Sequence, residues 1–153
     1  MEIKEIQENL LLLLPHLNYK IIRPIKQLLD DGVSLEMYYC LQILRARHEM
    51  TMTEFAEYIH MPKHQMSKIS NRLFEQDLIE RIFDPADRRI IKIKVTEKAI
   101  AYMDNFRDEN TDCYHDFLDK MSLDEISQFG SAINTLLSIF CRISGEEVPT
   151  KDK

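Results

Sequence analysis

The sequence predicts a mainly α-helical chain with one small β-hairpin, and three observations predict it. Apolar residues recur at spacings of three and four over most of the length, the period of a helix with one buried side. Only three glycines and five prolines interrupt 153 residues, so few breakers oppose helices. Between Leu78 and Val95 the period changes to two, the signature of half-buried strands. The length suits one ordinary domain with a real core and is short for two independent ones.

From Ile3 to about Leu29 the pattern is helical, with Ile3, Ile6, Leu10, Leu13 and Leu17 forming a heptad seam. Pro15 sits inside it. A proline removes a backbone bond and clashes with the preceding turn, which predicts a bend or break near Asn9 to His16, with Pro24 as a second such point. Asp30-Asp31-Gly32 closes the segment, because glycine readily takes the left-handed conformation beyond a helix end. Ser34 then caps a second helix, with Glu36 in its first turn and Met37, Leu41 and Leu44 as its buried side, through to about His48. Glu49 to Met52 is the candidate for a short third strand beside the hairpin.

Thr51 or Thr53 caps the next, short helix; Glu54 stands where a capping box with Thr51 requires it, and Phe55, Ala56 and Ile59 mark the buried side. This helix stops near His60. Pro62 fits the first turn of a helix and sets the start of the following one, which runs to about Asp77 and completes a helix-turn-helix. In that second helix Met66, Ile69, Leu73 and Phe74 share a stripe. At about 100° per residue the opposite side carries His64, Ser67, Lys68, Asn71, Arg72 and Glu75, with Lys63 and Gln65 near the N-terminal end. Hydroxyl, amide, imidazole and cationic groups on one side suit base edges and phosphates in a major groove, where Lys or Arg pairs with guanine and Asn or Gln with adenine. A merely solvated polar stripe is the alternative, and this stripe alone does not decide between them.

After Leu78, Ile79, Arg81 and Phe83 alternate with Glu80 and Ile82, and Ile91, Ile93 and Val95 alternate with Lys92 and Lys94, predicting two strands. The tip between them, Asp84-Pro85-Ala86-Asp87-Arg88-Arg89, carries two adjacent guanidiniums, which a narrow, strongly negative minor groove attracts. Asp87 is placed to hold one arginine in a fixed pose through a charge-assisted bond. Lys92 joins these residues as a further cation of the hairpin.

The formal net charge of −6 argues at first against a polyanion partner, but its distribution reverses that impression. Residues 60 to 98 hold nine Lys and Arg against six Asp and Glu, while residues 1 to 59 hold six against nine and residues 99 to 153 hold five against eleven. The reading segment is basic, and acidic flanks repel DNA elsewhere on the chain.

With these residues in place, the segment resembles the MarR-type winged-helix transcription regulators. Their hairpin, the wing, carries Asp-x-Arg, three residues, an aliphatic, any residue, an aliphatic, then Thr, which reads here as Asp87, Arg89, Ile93, Val95 and Thr96. The family's recognition helix has Ser or Thr followed by Lys or Arg, as at Ser67 and Lys68. Ala99 and Asp77 stand where glycine is common, and Pro62 where serine is common. The resemblance implies a winged helix-turn-helix over 34–98, and terminal helices over 1–30 and 100–145 that form a dimerisation region, within one domain spanning 1–153. It also implies a homodimer on double-stranded DNA with a pseudo-palindromic site, most often a repressor relieved by a small ligand, and no cofactor. The pocket usually lies between the dimerisation helices and the winged-helix body. His16, Tyr19, Arg23, Tyr38 and Tyr39 are the candidates there, each also explicable as a core or interface residue.

Thr96 is placed to cap a helix running to about Lys120. Met103, Phe106, Asn110, Cys113, Phe117 and Met121 fall on one line of it, and Asp104, Asp108, Asp112, Asp116 and Asp119 on the wet side. Ser122 with Glu125 three residues later starts the last helix, in which Ile126, Phe129, Ile133, Leu136, Phe140 and Ile143 repeat with Leu137 alongside. Gly145 stops it, and Glu146 to Lys153 reads as a frayed tail. Packing onto the winged-helix core accounts for part of these terminal seams. The reading adopted is that Ile6, Leu10 and Leu13, with Ile133, Leu136, Leu137 and Phe140, interlock with a second copy.

Catalytic constellations are absent: the sequence has no glycine-rich phosphate loop and no nucleophile elbow, so no enzyme is expected. Cys40, Cys113 and Cys141 form no CxxC pair, and Cys40 reads as a packed, inert thiol rather than a redox switch. His16, His48, His60, His64 and His115 show no spacing that selects a metal site. No stretch resembles a signal peptide or a membrane span, which predicts a cytoplasmic protein. Two alternatives share the scaffold: a winged-helix dimer that binds protein instead of DNA, and a redox- or metal-responsive switch.

Overall fold

The core is built on helix α3 (Leu35–Arg47), which begins at a side-chain cap: the Ser34 hydroxyl accepts the Met37 N–H at 3.2 Å. Met37, Leu41 and Leu44 point inward from it and are fully buried. The computed structural model describes residues 2–145 and divides into two units, one running to Asn110 and the other beginning at Thr111. The tail expected to fray, Glu146 to Lys153, lies outside the described residues.

Ahead of α3, helices α1 (Ile3–Leu17) and α2 (Arg23–Leu28) are joined by a π-helical turn over Asn18–Ile22. The break expected near Asn9 to His16 is therefore misplaced, since α1 runs through Pro15 and carries it in its last turn. Pro24 explains the true position. It donates no hydrogen bond and its ring crowds the carbonyl four residues back; the wider turn just before it leaves Pro24 in the first turn of α2, where neither defect matters. Gly32, at φ +93°, then turns the chain toward Ser34.

Beyond α3 comes a two-residue strand β1 (Met50–Thr51), then α4 (Met52–Tyr58) and α5 (Lys63–Glu75). The capping box is present: the Thr51 hydroxyl accepts the Glu54 N–H at 3.1 Å, and the Glu54 carboxylate accepts the Thr51 N–H at 2.7 Å. Strands β2 (Ile79–Phe83) and β3 (Ile91–Val95) form the hairpin, and β1 pairs with β3 to give an antiparallel sheet of order β1-β3-β2. Ile79 lies opposite Val95, Arg81 opposite Ile93 and Phe83 opposite Ile91, so one side of the hairpin continues the core through Ile79 and Ile93. Phe55 of α4 and Met66 and Leu73 of α5 complete that core with α3.

Helix α6 (Glu97–Glu109) starts where Thr96 caps it, the hydroxyl accepting the Ala99 N–H at 3.1 Å. The single helix expected to reach Lys120 instead ends at Glu109, and α7 (Asp112–Leu118) begins afresh in the second unit. The cause is local. The Asn110 side-chain amide donates to the Phe106 carbonyl at 2.9 Å, competing for the acceptor that its own backbone N–H would use in a continuing helix. Asp104, expected on the wet side, is half-buried and bridges to Arg45 of α3 at 2.8 Å. In the second unit α8 (Leu123–Ser144) opens on the Ser122–Glu125 box and closes at Gly145, φ +70°. Phe117 of α7 meets Phe129 of α8 edge to face at 5.4 Å.

Candidate nucleic-acid interface

Helix α5 is two-sided. Met66, Ile69, Ser70 and Leu73 are buried, and Lys63, His64, Gln65, Ser67, Lys68, Asn71, Arg72 and Glu75 are exposed, so the polar stripe read from the sequence is a free surface of this chain. The elbow before it is held by backbone and by one buried hydroxyl. His60 takes φ +51°, the Met61 N–H reaches the Ala56 carbonyl at 3.0 Å, and the Ser70 hydroxyl donates to the Met52 sulfur at 3.6 Å across the two helices. A hollow of about 120 Å³ remains at the elbow, lined by Met52, Thr53, Ala56, Lys63, Met66 and Ser67.

The far end of α5 is tied down. Asp77 takes φ +56°, which accounts for the preference for glycine at this place, and Asp tolerates the left-handed region better than most residues. The Thr96 hydroxyl donates to the Asp77 carbonyl at 2.7 Å, and Lys98 Nζ donates to the Gln76 carbonyl at 2.7 Å. Arg72 Nη2 donates to the Gly32 carbonyl at 3.1 Å, and the Gln76 side-chain amide reaches the same oxygen at 2.8 Å. The stripe pattern assigned Arg72 to the reading surface; no sequence signal announced this tether.

At the hairpin tip, Asp84 organises the turn, its Oδ1 accepting the Ala86 N–H at 2.8 Å and the Asp87 N–H at 3.1 Å. Asp87 then clamps Arg89. Oδ1 accepts the Arg89 backbone N–H at 3.1 Å and Nε at 3.0 Å, and Oδ2 accepts Nη2 at 3.1 Å. These side-chain bonds, then the backbone one, hold the Asp87 carboxyl below the usual carboxylate range. The guanidinium is thus posed but still outside, 91% exposed, with Arg88 exposed next to it. Lys92 sits back from the tip, opposite Thr51 and Ile82 in register, and donates to Glu49 at 2.9 Å, which raises its pKa. Arg81 lies 4.4 Å over the Phe74 ring and seats the root of the hairpin on α5.

Of the five pocket candidates, Arg23 lies 5.7 Å over the Tyr19 ring, His16 is exposed, and Tyr38 and Tyr39 differ in burial. Tyr38 is packed on Phe106 with ring centroids 5.1 Å apart, whereas Tyr39 is half exposed and its phenol is raised by burial, then by Glu36. Burial, then Glu36, pushes the Cys40 thiol up to about 12. Among the described residues no group of three His, Cys, Asp or Glu side chains gathers as a metal site.

An exposed polar and cationic helix, set behind a tight turn and flanked by an arginine-tipped hairpin, defines a class: the winged helix-turn-helix DNA-binding transcription regulators. The MarR family model matches residues 33–91. A relative, the Uncharacterized HTH-type transcriptional regulator YpoP of Bacillus subtilis, is 30% identical over an alignment of 99 residues that covers 60% of this chain and 70% of that protein. The chain belongs to the MarR family. Solved structures share the fold: RV1404 from Mycobacterium tuberculosis at a TM-score of 0.76 and 17% identity over 99% of each chain, and a mutant MarR from E. coli complexed with operator DNA at 0.63 and 17% over 90% of this chain and 99% of that one.

Proposed function

We propose that this regulator acts as a cytoplasmic homodimer on a pseudo-palindromic duplex, with Lys63, His64, Gln65, Ser67, Lys68 and Asn71 in the major groove and Arg88 and Arg89 in the adjacent minor groove. The observation that carries it is the pairing of a fully exposed reading side on α5 with a guanidinium already posed by Asp87 at the hairpin tip. Residues 34–98 are the reading head. Residues 1–30 and 100–145 are the dimerisation region, supported by the apolar residues left exposed on both stretches: Ile6, Leu10 and Leu13, and Ile133, Leu136, Leu137 and Phe140.

Control is geometric in this reading. A small effector that binds one spacing of the two heads more tightly shifts the population toward it and relieves repression, by an amount set by its differential affinity. The stacked pair Tyr19 and Arg23 is the first place to look for that effector. Among the described residues no helix is long and apolar enough to cross a membrane. Selection of bound sequences from random duplexes tests the whole reading at once. Expected is an enriched site with two-fold symmetry and half-sites about one helical turn, roughly 10 bp, apart. A pool that never enriches, or an enriched site with no symmetry, overturns it.

A further inference from the structure

The tether at the far end of α5 has a partner whose position is unusual for a structural staple. Gly32 lies in the turn that leads from the N-terminal helices into α3, and its single carbonyl accepts from Arg72 in the last turn of α5 and from Gln76, the residue that caps that helix. A carbonyl oxygen has two lone pairs, so this acceptor is saturated by the recognition helix alone. The same turn is held from the other side: the Tyr102 hydroxyl of α6 lies 3.4 Å from the Asp30 N–H. The turn is also intolerant of change. Gly32 has φ +93°, and a Cβ there would stand 3.2 Å from the Gln76 side-chain nitrogen. One short segment thus touches the N-terminal helices, the recognition helix and α6 at once. The exposed stripe proposed to read DNA lies on α5, and the donors that grip Gly32 are Arg72 of that helix and Gln76 at its cap, so a displacement of the turn is passed to the stripe.

We propose that the Asp30–Val33 turn is the joint through which the N-terminal helices set the pose of the recognition helix, and that Arg72 and Gln76 are positioning residues on the Gly32 carbonyl rather than readers of DNA. This rests on the DNA-binding reading above and deepens it. A recognition helix released at its far end still carries its cations, so it still meets phosphates; what it loses is the fixed register of base contacts. Coupling is reciprocal, so duplex binding changes the exposure of the turn as the turn changes binding.

The test uses the full chain and its selected duplex, with a scrambled duplex of equal length as control, at several salt concentrations. Gln76→Ala alters no charge. It is expected to weaken binding to the selected duplex about threefold to tenfold, the worth of a hydrogen bond, while leaving the scrambled duplex and the salt slope untouched. Arg72→Ala is expected to lose the same factor with the same slope, and the double variant to lose little more than either alone, because both act through one oxygen. Hydrogen exchange at Asp31–Val33 slows on duplex binding in the wild type and does so less in Gln76→Ala. A salt slope that falls by roughly 0.9 in Arg72→Ala marks a phosphate contact and overturns the assignment. So does Gln76→Ala with undiminished affinity, which decides the matter alone if Arg72→Ala does not fold. If the wild type binds neither duplex, it is the DNA-binding reading that fails, and the two failures are told apart.

Discussion

The reading head and the terminal helices use the same residues to opposite ends. In α3 and α5, Leu41, Leu44 and Leu73 are fully buried, each closed over by the sheet and the neighbouring helices. In α1, which is richer in leucine, no residue is buried: Leu10 is 53% exposed and Leu12 70%. Along α8, Leu136, Leu137 and Phe140 are likewise exposed, Phe140 by 60%. Burial of apolar surface stabilises by roughly 25 cal/mol per Å², so a leucine left in water adds nothing to the fold of the chain that carries it. The spacing of α3 encodes a core, whereas the same spacing in α1 and α8 leaves apolar side chains exposed, the surface that the proposed dimer buries.

The largest effect is expected where that contrast is attacked directly. Replacing Leu10 and Leu13 together by Asp should yield monomers by light scattering, with affinity for the selected duplex falling about a hundredfold to ten-thousandfold as the second head's contribution is lost. Thermal melting of the reading head should persist. A dimer that survives both aspartates would show that α1 is not the associating surface.

Inside the head the expected losses are in stability. Phe55→Ala removes a fully buried ring and should cost about 3–5 kcal/mol by urea unfolding, and Leu41→Ala about 2–5 kcal/mol. Leu12→Ala should move the same measurement by no more than about 0.5 kcal/mol, as substitutions at exposed positions do. Equal losses at Leu12 and Leu41 would erase the distinction between the two regions.

At the hairpin tip the effect moves from folding to binding. Arg89→Ala should leave the melt unchanged, weaken the duplex about tenfold and lower the salt slope by roughly 0.9. Asp87 supplies the pH dependence. Arg89 depresses its folded pKa, so the clamp contributes fully above the ordinary carboxylate range and is lost as pH falls through the depressed value. Asp87→Asn should therefore behave at pH 7 as the wild type does in acid, with a flattened acid limb in a binding titration. A wild type and a variant with identical acid limbs would remove Asp87 from the reading machinery.

The same contrast governs what was legible in advance. Caps and turns are local, so Ser34, Thr51, Thr96 and Ser122 announced their helices, and the change of period at Leu78 announced the hairpin. The Asp87–Arg89 clamp was equally legible because its partners are two residues apart. Contacts between distant segments leave no such trace. Arg72 and Gln76 reach Gly32 across 40 and 44 residues, and Lys92 reaches Glu49 across 43, so the stripe pattern assigned Arg72, and the hairpin's run of cations Lys92, to DNA without regard to either partner. Competition at a helix end is also hard to read: Asn110 looked like one position in a long line and is the residue that ends it. Pro15 and Pro24 carry the same defect, and only the widened turn before Pro24 distinguishes them.

The smallest expected effect concerns the thiols and sharpens the contrast chemically. Cys40 sits 2% exposed in the head, where burial and the Glu36 charge push its pKa up to about 12. Cys113, in the second unit, is partly exposed and raised by burial, then by Asp112 and Asp116. Only the thiolate attacks an alkylating reagent, so at pH 8 iodoacetamide should label Cys113 slowly and Cys40 not at all until urea unfolds the head. The raised folded pKa also fixes a sign. The neutral thiol favours the fold fully below the unfolded value near 9, and that contribution fades as pH rises toward 12, so the head should soften at strongly alkaline pH and less so in Cys40→Ala. Mild peroxide should leave duplex affinity unchanged. A loss of affinity reversed by thiol reductant, with Cys40 labelled in the folded chain, would mean the head is less closed than its packing indicates and that oxidation, rather than the proposed effector, controls it.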